Sequence, residues 1–261
     1  MPIITLTTDF GTRDGYVGAV KGVIHRVLQS TVVRPVWEHT SVVDIAHDLP
    51  RGDIAHAAWV LATSTIEFPE GSIHVIVVDP GVGGARQNVV VESAGGQLYV
   101  GPDNGVFALL GDTSAHVVTK TALLAPKISS TFHGRDLFAH VAARLACGYR
   151  PTDFGKATRL VGTLPWGRRP EGVGRIIHID GFGNLISDLP AREAGGTVLF
   201  ETRHIPVMRT YEDVPVGELL AYVGSAGTIE IAVRDGRADA LLGVQRGAKV
   251  LPDPDATGPY R

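Results

Sequence analysis

The chain has 261 residues, of which 44% are hydrophobic and 20% are charged, so it is long enough for one large core or two modest ones. A net charge of -3 excludes a general attraction to nucleic acid or to an anionic membrane. The single cysteine, Cys147, excludes an internal disulfide and fits a reducing compartment. The N-terminus lacks the basic start of a signal peptide, and no apolar run approaches the ~18 residues that span a bilayer, so we expect a soluble, cytoplasmic protein.

The first part of the chain alternates short apolar strands with helical stretches. In chain order, the pattern predicts strands at 2–8, 42–45, 72–78, 89–92 and 98–100, and helices at 16–28, 53–64 and 137–147. Asp53 is suited to cap the second helix, and Gly95-Gly96 joins the fourth and fifth strands. This alternation predicts an α/β domain over residues 1–164, with a mainly parallel central sheet covered by helices.

The composition changes near residue 163. Residues 163–172 contain two prolines and two glycines and are predicted to form an exposed linker. Short strands with frequent turn signals follow, without a convincing long helix. We therefore expect a smaller, all-β, barrel-like domain over residues 173–250. Residues 251–261, which include three prolines, are expected to form a flexible tail.

Polar loops follow the apolar strands of the first domain. Asp9 ends the first strand, and Asp79 ends the strand at 72–78 and begins a glycine-rich loop that reaches Arg86. Two further loops, at 101–105 and 132–136, add Asp103 and His133. Because ligands of open α/β sheets bind at the carboxyl ends of the strands, these side chains are candidates for one crevice. The alternative for each aspartate is a strand-ending residue that caps a turn.

The loops favour a nucleoside over a nucleotide. A strand-end carboxylate such as Asp9 can accept both hydroxyls of a ribose. No Gly-x-Gly-x-x-Gly follows the first strand and no Walker phosphate loop is present, so a di- or triphosphate ligand is disfavoured.

A metal site and a catalytic histidine are both open at this point. Asp9, Asp79, Asp103 and His133 could form an oxygen-rich metal site, but no His-x-x-x-His or paired-cysteine spacing supports it, so we predict no metal. His133 lies at the entry to a helix, where a loop could aim it into the crevice, although an isolated histidine is often structural. Arg135 and Asp136 are expected to form a local ion pair or a helix cap.

Two glycine-containing turns of the second domain carry further candidates. Asp180 and Asn184 flank Phe182, and an asparagine amide can donate and accept at once, which suits the edge of adenine. Phe182 could stack on a flat base. In the turn at 222–230, Ser225 and Glu230 could hold the carboxylate and ammonium of an amino acid. The alternative for both is an ordinary hairpin turn.

Five motifs occur together and in order. They are Thr7-Thr8-Asp9-Phe10-Gly11, Asp79-Pro80-Gly81-Val82-Gly83, Gly101-Pro102-Asp103-Asn104-Gly105, Phe132-His133-Gly134-Arg135-Asp136 and Asp180-Gly181-Phe182-Gly183-Asn184. In this combination the chain resembles the S-adenosyl-L-methionine (SAM) hydroxide adenosyltransferases, the adenosine-forming SAM hydrolases, which share their fold with fluorinases and chlorinases. The resemblance runs from residue 3 to about residue 247, nearly the whole chain.

The resemblance implies a fold, an assembly and roles for individual residues. It implies an α/β domain followed by a β-barrel, and a homotrimer whose active sites lie between the first domain of one subunit and the second domain of its neighbour. The family's catalytic residues match Asp79, Arg86 and His133, and its ribose-binding aspartate matches Asp9. Its base and methionine contacts match Asp180, Phe182, Asn184, Tyr222, Ser225 and Glu230.

The resemblance also implies the reaction. Water or hydroxide attacks C5′ of the ribose of SAM, and adenosine and L-methionine form without a cofactor or metal. Fluorinases carry an extra loop after the Asp-Pro-Gly-Val-Gly segment, whereas here Gly83 leads within a few residues to the strand at 89–92, which favours the hydrolase. The alternatives are a SAM-dependent halogenase, a SAM- or adenosine-binding module without turnover, and a metal-dependent hydrolase.

Overall fold

The computed structural model describes residues 1–31, 38–167 and 169–253 of the chain. The chain divides into two compact units, one spanning Met1–Leu164 and one that begins at Pro165. Within the described ranges, we find no helix with the length and apolar character needed to cross a bilayer. Each unit has its own sheet and its own core.

The first unit is built on a seven-stranded sheet. Its strands are β1 (Ile3–Thr8), β2 (Ser41–Ala46), β3 (Ile73–Val77), β4 (Asn88–Ser93), β5 (Leu98–Pro102), β6 (Thr113–Val117) and β7 (Ala157–Thr158). They lie in the order β2-β1-β3-β5-β4-β6-β7. The pairs β1–β2, β1–β3 and β3–β5 are parallel, whereas β4–β5, β4–β6 and β6–β7 are antiparallel. The helices are α1 (Tyr16–Thr31), α2 (Ile54–Thr65) and α3 (Ala139–Ala146), and a π-helical turn at Gly134–Phe138 leads into α3.

The central strand β3 is buried on both faces. Ile73, Val75 and Val77 pack with α1 and α3 in one apolar cluster, and Ile76 packs with residues of α2 in another. A continuous apolar run is typical of a parallel strand that is covered on both sides. Because the two clusters fix β3, the residues that follow it are held at one place at the carboxyl end of the sheet.

The second unit is a closed seven-stranded barrel. Its strands are β8 (Gly174–Ile179), β9 (Leu185–Pro190), β10 (Thr197–Phe200), β11 (Arg203–Met208), β12 (Leu219–Val223), β13 (Thr228–Val233) and β14 (Lys249–Pro252), with short helices α4 (Ala191–Ala194) and α5 (Ala238–Leu242). The order around the barrel is β10-β11-β12-β13-β9-β8-β14. The pair β11–β12 is parallel and the other pairs are antiparallel. Buried side chains such as Leu185, Phe200 and Ile231 fill its interior.

The predicted fold class, an α/β sheet with a barrel-like second part, is confirmed. In the sheet of the first unit, parallel pairing is limited to the four strands β2, β1, β3 and β5. The turn through Gly95-Gly96 is too short for the crossover that parallel strands need, so β4 and β5 pair antiparallel. Strand β14 runs to Pro252, so the first two residues of the predicted tail pair within the barrel. The remainder of that predicted tail, from residue 254, lies outside the described residues.

A buried histidine in β3 makes the stability of the first unit depend on pH. His74 is fully buried, its Nδ1 lies 2.8 Å from the Thr5 hydroxyl, and burial lowers its pKa from 6.5 to about 4. The unfolded chain therefore binds a proton before the folded protein does. The contribution of neutral His74 to the free energy of unfolding is fully present above about pH 6.5. It is lost as the pH decreases towards the folded pKa of about 4.

We predict that lowering the pH from 7 to 5 reduces the free energy of unfolding by about 2 kcal/mol through His74. His74→Asn keeps a polar atom near the Nδ1 position, facing Thr5, and should lose this part of the pH dependence. Urea unfolding at both pH values measures the difference. The exposed His25 provides a control for the exchange of a histidine for an asparagine, His25→Asn. Equal pH dependence in wild type and His74→Asn would contradict the assignment.

Candidate active site

Three polar side chains meet beyond the carboxyl end of β3. Asp79 lies two residues beyond β3, Arg86 lies two residues before β4, and His133 directly precedes the π-helical turn. The Arg86 Nε lies 3.1 and 3.0 Å from the two carboxylate oxygens of Asp79, and Nη2 lies 2.5 Å from Oδ2. The same Nη2 lies 2.8 Å from His133 Nδ1. The three residues that the sequence singles out for catalysis therefore form one connected cluster.

Glycines allow the two loops to approach each other. Gly83 has φ +77°, and a Cβ at this position would collide with the carbonyl oxygen of Ser130. Gly134 packs against Val77, so a side chain there would crowd the end of β3. The Asp79–Arg86 loop is thus held against the segment that carries His133.

Asn88 is a member of the cluster that the sequence did not indicate. Its Oδ1 accepts a hydrogen bond of 2.8 Å from Arg86 Nη1. As the first residue of β4, Asn88 is fixed by the sheet, and it holds the end of the guanidinium that Asp79 does not reach. The only sequence signal was its position two residues after Arg86, which places both side chains near the same strand entry.

The guanidinium retains one hydrogen for a ligand. Arg86 carries five N–H donors, and four are used on Asp79, Asn88 and His133. Among the described residues, the second hydrogen of Nη1 has no acceptor. The ion pair is also sheltered, because the side chains of Asp79 and Arg86 are only 3% and 9% exposed. Asp79 and Asn88 therefore hold a sheltered positive charge in one orientation, with one N–H donor of Arg86 left for a ligand.

The contact with Arg86 sets the proton position on His133. A guanidinium only donates, so His133 Nδ1 accepts, and the ring carries its proton on Nε2. Burial lowers the pKa of His133, and the positive charge of Arg86 lowers it further, against the opposing effect of Asp79 and Asp136. The imidazole is therefore neutral near pH 7 and presents an Nε2–H donor.

Asp9 and Asp103 have separate roles in the structure. Asp9 Oδ2 accepts a 2.8 Å hydrogen bond from the Gly52 backbone, and its Oδ1 has no donor among the described residues, which leaves that oxygen for a ligand. Asp103 is buried and accepts backbone hydrogen bonds of 2.9 Å from Val161 and from Gly162.

No group of three or more His, Cys, Asp or Glu side chains within the described ranges could hold a metal ion. The expected Arg135–Asp136 ion pair is present, with Nε 2.6 Å from Oδ1.

In the second unit, Asp180 organises the turn between β8 and β9. Its Oδ1 accepts from the backbone N–H groups of Phe182 and Asn184, both at 2.9 Å, and its Oδ2 accepts from Asn184 Nδ2 at 3.0 Å. Asn184 is buried, whereas Phe182 is 78% exposed. An exposed aromatic beside a fixed amide is suited to a flat base, with the amide at its edge.

Asn184 also begins a chain of hydrogen bonds across the barrel surface. Its Nδ2 lies 3.1 Å from the hydroxyl of Tyr211, which lies 2.8 Å from that of Tyr222, and Tyr222 donates to Glu230 Oε2 at 2.5 Å. Burial raises the pKa of Tyr222, and the carboxylate of Glu230 raises it further. Burial also raises the pKa of Glu230, against the hydrogen bond from Tyr222.

Two further residues complete the description of this unit. Tyr211 was not indicated by sequence, because it stands in a short 3-10 turn outside the recognisable motifs. Ser225 is exposed in the turn between β12 and β13. Next to it, Gly224 makes room for the Glu230 carboxylate, because a Cβ there would collide with it. The structure thus brings Asp180, Asn184, Tyr222 and Glu230 into one network and leaves Ser225 and Phe182 at the surface of the unit.

Comparison with known proteins covers both units. Residues 4–155 match the SAM hydroxide adenosyltransferase N-terminal domain, and residues 174–251 match the SAM hydroxide adenosyltransferase C-terminal domain. An (R)-S-adenosyl-L-methionine hydrolase from Salinispora tropica is 39% identical over 271 residues, covering 95% of this chain and 97% of the relative. One from Thermus thermophilus is 38% identical over 256 residues, covering 93% and 96%. A fluorinase from Actinopolyspora mzabensis is more distant, at 26% identity over 88% of this chain and 90% of the relative.

The similarity to solved structures also extends over nearly the whole chain. A conserved hypothetical protein from Thermus thermophilus has a TM-score of 0.78 at 36% identity, covering 96% of this chain and 99% of that chain. An uncharacterized conserved protein from Thermotoga maritima has a TM-score of 0.79 at 30% identity, covering 95% and 99%.

We predict that Arg86→Gln raises the pKa of His133 towards 6.5, because it removes the positive charge that opposes protonation of the ring. Asp79→Asn should lower this pKa further, because it removes a negative charge that favours the imidazolium form. Titration of the ring signals by NMR measures both shifts, with the exposed His25 as an internal control. An unchanged His133 pKa in both variants would contradict its contact with the ion pair.

Proposed function

The chain belongs to the SAM hydroxide adenosyltransferase family, and we propose that it hydrolyses S-adenosyl-L-methionine to adenosine and L-methionine. Hydroxide derived from water attacks C5′ of the ribose. The C5′–O bond forms as the C5′–S bond breaks, and the electron pair of the broken bond stays on sulfur as the neutral thioether of methionine. The names of the relatives specify the (R) form of SAM, and we propose the same form as substrate here.

The observation that carries this proposal is the sheltered guanidinium of Arg86 with one free donor. A sulfonium is already an activated leaving group, so the protein needs to supply a basic oxygen nucleophile rather than an acid or a metal. Free water has a pKa of about 15.7, and a nearby fixed positive charge favours hydroxide over water. Asp79 and Asn88 hold the guanidinium in one orientation, so its charge and free Nη1 hydrogen face the nucleophile.

In this mechanism His133 acts as a hydrogen-bond donor. Its Nδ1 is occupied by Arg86 and its Nε2 already carries a proton, so the resting ring has no free site to accept a proton from water. The Nε2–H donates to the hydroxide and orients it towards C5′. The proton lost when hydroxide forms goes to bulk solvent before the displacement, and no proton transfer is needed as the C–S bond breaks.

The remaining candidate residues bind the substrate. Asp9 uses its free oxygen for the ribose hydroxyls, since charge-assisted hydrogen bonds to a carboxylate are strong. Phe182 stacks on adenine and Asn184 contacts its edge. Asp180, Tyr222, Ser225 and Glu230 form the methionine end of the site.

The direct test is to incubate the purified protein with each sulfonium form of SAM, with chelator and with chloride in separate reactions, and to separate the products by chromatography. Adenosine and methionine in equal amounts, unaffected by chelator, support the proposal, and Asp79→Ala and Arg86→Ala serve as inactive controls. Methylthioadenosine or S-adenosylhomocysteine as product would overturn it, and chloride-dependent 5′-chloro-5′-deoxyadenosine would indicate a halogenase.

We predict that His133→Ala lowers single-turnover hydrolysis by roughly a hundredfold or more, because it removes the donor. His133→Gln places an amide N–H near the former Nε2 position and should stay within about tenfold of wild type. In wild type, the rate should keep rising between pH 7 and 9, above the lowered pKa of His133, because hydroxide rather than the imidazole is limiting. Gln as slow as Ala, together with a rate that levels off at neutral pH, would show that His133 takes the proton.

We further propose that the active protein is a homotrimer in which the first unit of one subunit and the second unit of another complete each site. The support is the resemblance to the family, which implies this assembly. The distribution of the candidates is compatible with it, since Asp9, Asp79, Arg86 and His133 lie in the first unit, whereas the base and methionine contacts all lie in the second.

We predict that mixing inactive His133→Ala and Asn184→Ala proteins, under conditions that exchange subunits, restores part of the activity. In mixed trimers some sites carry both substitutions and others carry neither. Activity is followed as adenosine release, with each variant alone as control. A mixture that remains inactive although subunits have exchanged, or a monomer in analytical ultracentrifugation, would contradict the shared site.

A further inference from the structure

The side-chain amide of Asn184 has both of its hydrogens committed within the second unit. Nδ2 donates one to Asp180 Oδ2 at 3.0 Å and the other to the Tyr211 hydroxyl at 3.1 Å. An amide nitrogen has only these two hydrogens to give. Among the described residues, no group donates to Oδ1 of Asn184, so the oxygen is the part of the amide that remains available to a ligand.

Charge fixes which way the amide faces. An ionised carboxylate only accepts hydrogen bonds, and Asp180 already accepts two backbone N–H groups on Oδ1. The atom of Asn184 that faces Asp180 Oδ2 must therefore be the nitrogen. Turning the amide over would place its oxygen against the carboxylate oxygen, and two acceptors at this distance repel each other.

Tyr211 reinforces the same orientation. Tyr222 gives its single hydrogen to Glu230, so in the 2.8 Å contact between the two hydroxyls Tyr211 is the donor. With its own hydrogen committed to Tyr222, the oxygen of Tyr211 can only accept from Asn184. Each hydrogen bond in the chain from Asn184 to Glu230 is then donated in the same direction, towards Glu230.

We propose that Asp180 and Tyr211 are positioning residues that make Asn184 an acceptor only, so that the site selects a purine with a hydrogen-bond donor at its 6 position. This inference rests on the proposed function and assigns its base specificity. The 6-amino group of adenine donates to Asn184 Oδ1. The 6-oxo group of hypoxanthine would place a second acceptor against the same oxygen, with neither group able to supply a hydrogen.

The test compares two nucleosides that differ at this position. Calorimetric titration of the full-length protein with adenosine and with inosine measures binding without turnover. Wild type should prefer adenosine by roughly tenfold to a hundredfold, as a base-edge contact discriminates by that factor. The preference is a ratio, so it is independent of the fraction of protein that is active.

Asp180→Asn should reverse the preference. The new amide can hold the backbone N–H groups through its oxygen, and its nitrogen then faces Asn184. Two facing donors repel, so the Asn184 amide turns over, accepts from residue 180 and presents its nitrogen to the ligand. The hydroxyl hydrogen of Tyr211 turns from Tyr222 to the Asn184 oxygen, which the Tyr211 oxygen would otherwise repel, at the cost of its hydrogen bond to Tyr222. We expect inosine to bind more tightly than adenosine by about tenfold. Asp235→Asn, in an exposed turn of the same unit, makes the same charge change and should keep the wild-type preference.

Tyr211→Phe provides a second, milder variant. It frees one Asn184 hydrogen without turning the amide, so inosine binding should improve while adenosine binding changes little, and the ratio should fall by about tenfold. Tyr149→Phe, in the first unit, controls for loss of a tyrosine hydroxyl.

The outcomes separate this inference from the function on which it rests. A reversed ratio in Asp180→Asn, or a reduced ratio in Tyr211→Phe, supports the positioning role, which a merely structural defect would not produce because it weakens both nucleosides alike. Equal wild-type binding of adenosine and inosine, or an unchanged ratio in both variants, overturns the inference alone. Failure of the wild type to bind either nucleoside overturns the proposed function together with it.

Discussion

The ion pair between Arg86 and Asp79 is the interaction on which the candidate site depends. Both side chains are sheltered from water, so neither charge would be stable without the other. Pairing through Nε and Nη2 fixes the plane of the guanidinium, and Asn88 holds its far end. This orientation in turn decides the proton position on His133. A single buried pair therefore determines both donors that we propose face the nucleophile.

The second unit uses a carboxylate in a related way. Asp180 accepts from its own turn and from the Asn184 amide, and it fixes which atom of that amide a ligand meets. In both units an aspartate acts through a neighbouring polar side chain. The consequence is that the loops need little regular structure, because side-chain hydrogen bonds anchor each functional group to the end of a buried strand.

Local sequence patterns predicted the strands with strong apolar periodicity and the positions of the polar loops that follow them. They could not predict β6 and β7, because these strands are short and partly polar. Pairing with β4 defines β6, and pairing with β6 defines β7. The contact between Arg86 and His133 joins residues 47 positions apart in the chain. The close approach of Gly83 to Ser130 depends on a positive φ angle that only the fold makes necessary. Tyr211 was missed because its role comes from a cross-barrel hydrogen bond. Asn184 was expected to donate and accept, and only the structure shows that its donors are occupied.

The central claim is that an oxygen from water, held by Arg86 and His133, is transferred to C5′ of the substrate. The most direct measurement is a single turnover of SAM in ¹⁸O-labelled water, with both products analysed by mass spectrometry. The account predicts one ¹⁸O atom in the 5′ hydroxyl of adenosine and none in methionine. Label in the methionine-derived product, or unlabelled adenosine, would contradict attack of water at C5′ and with it the role assigned to the cluster.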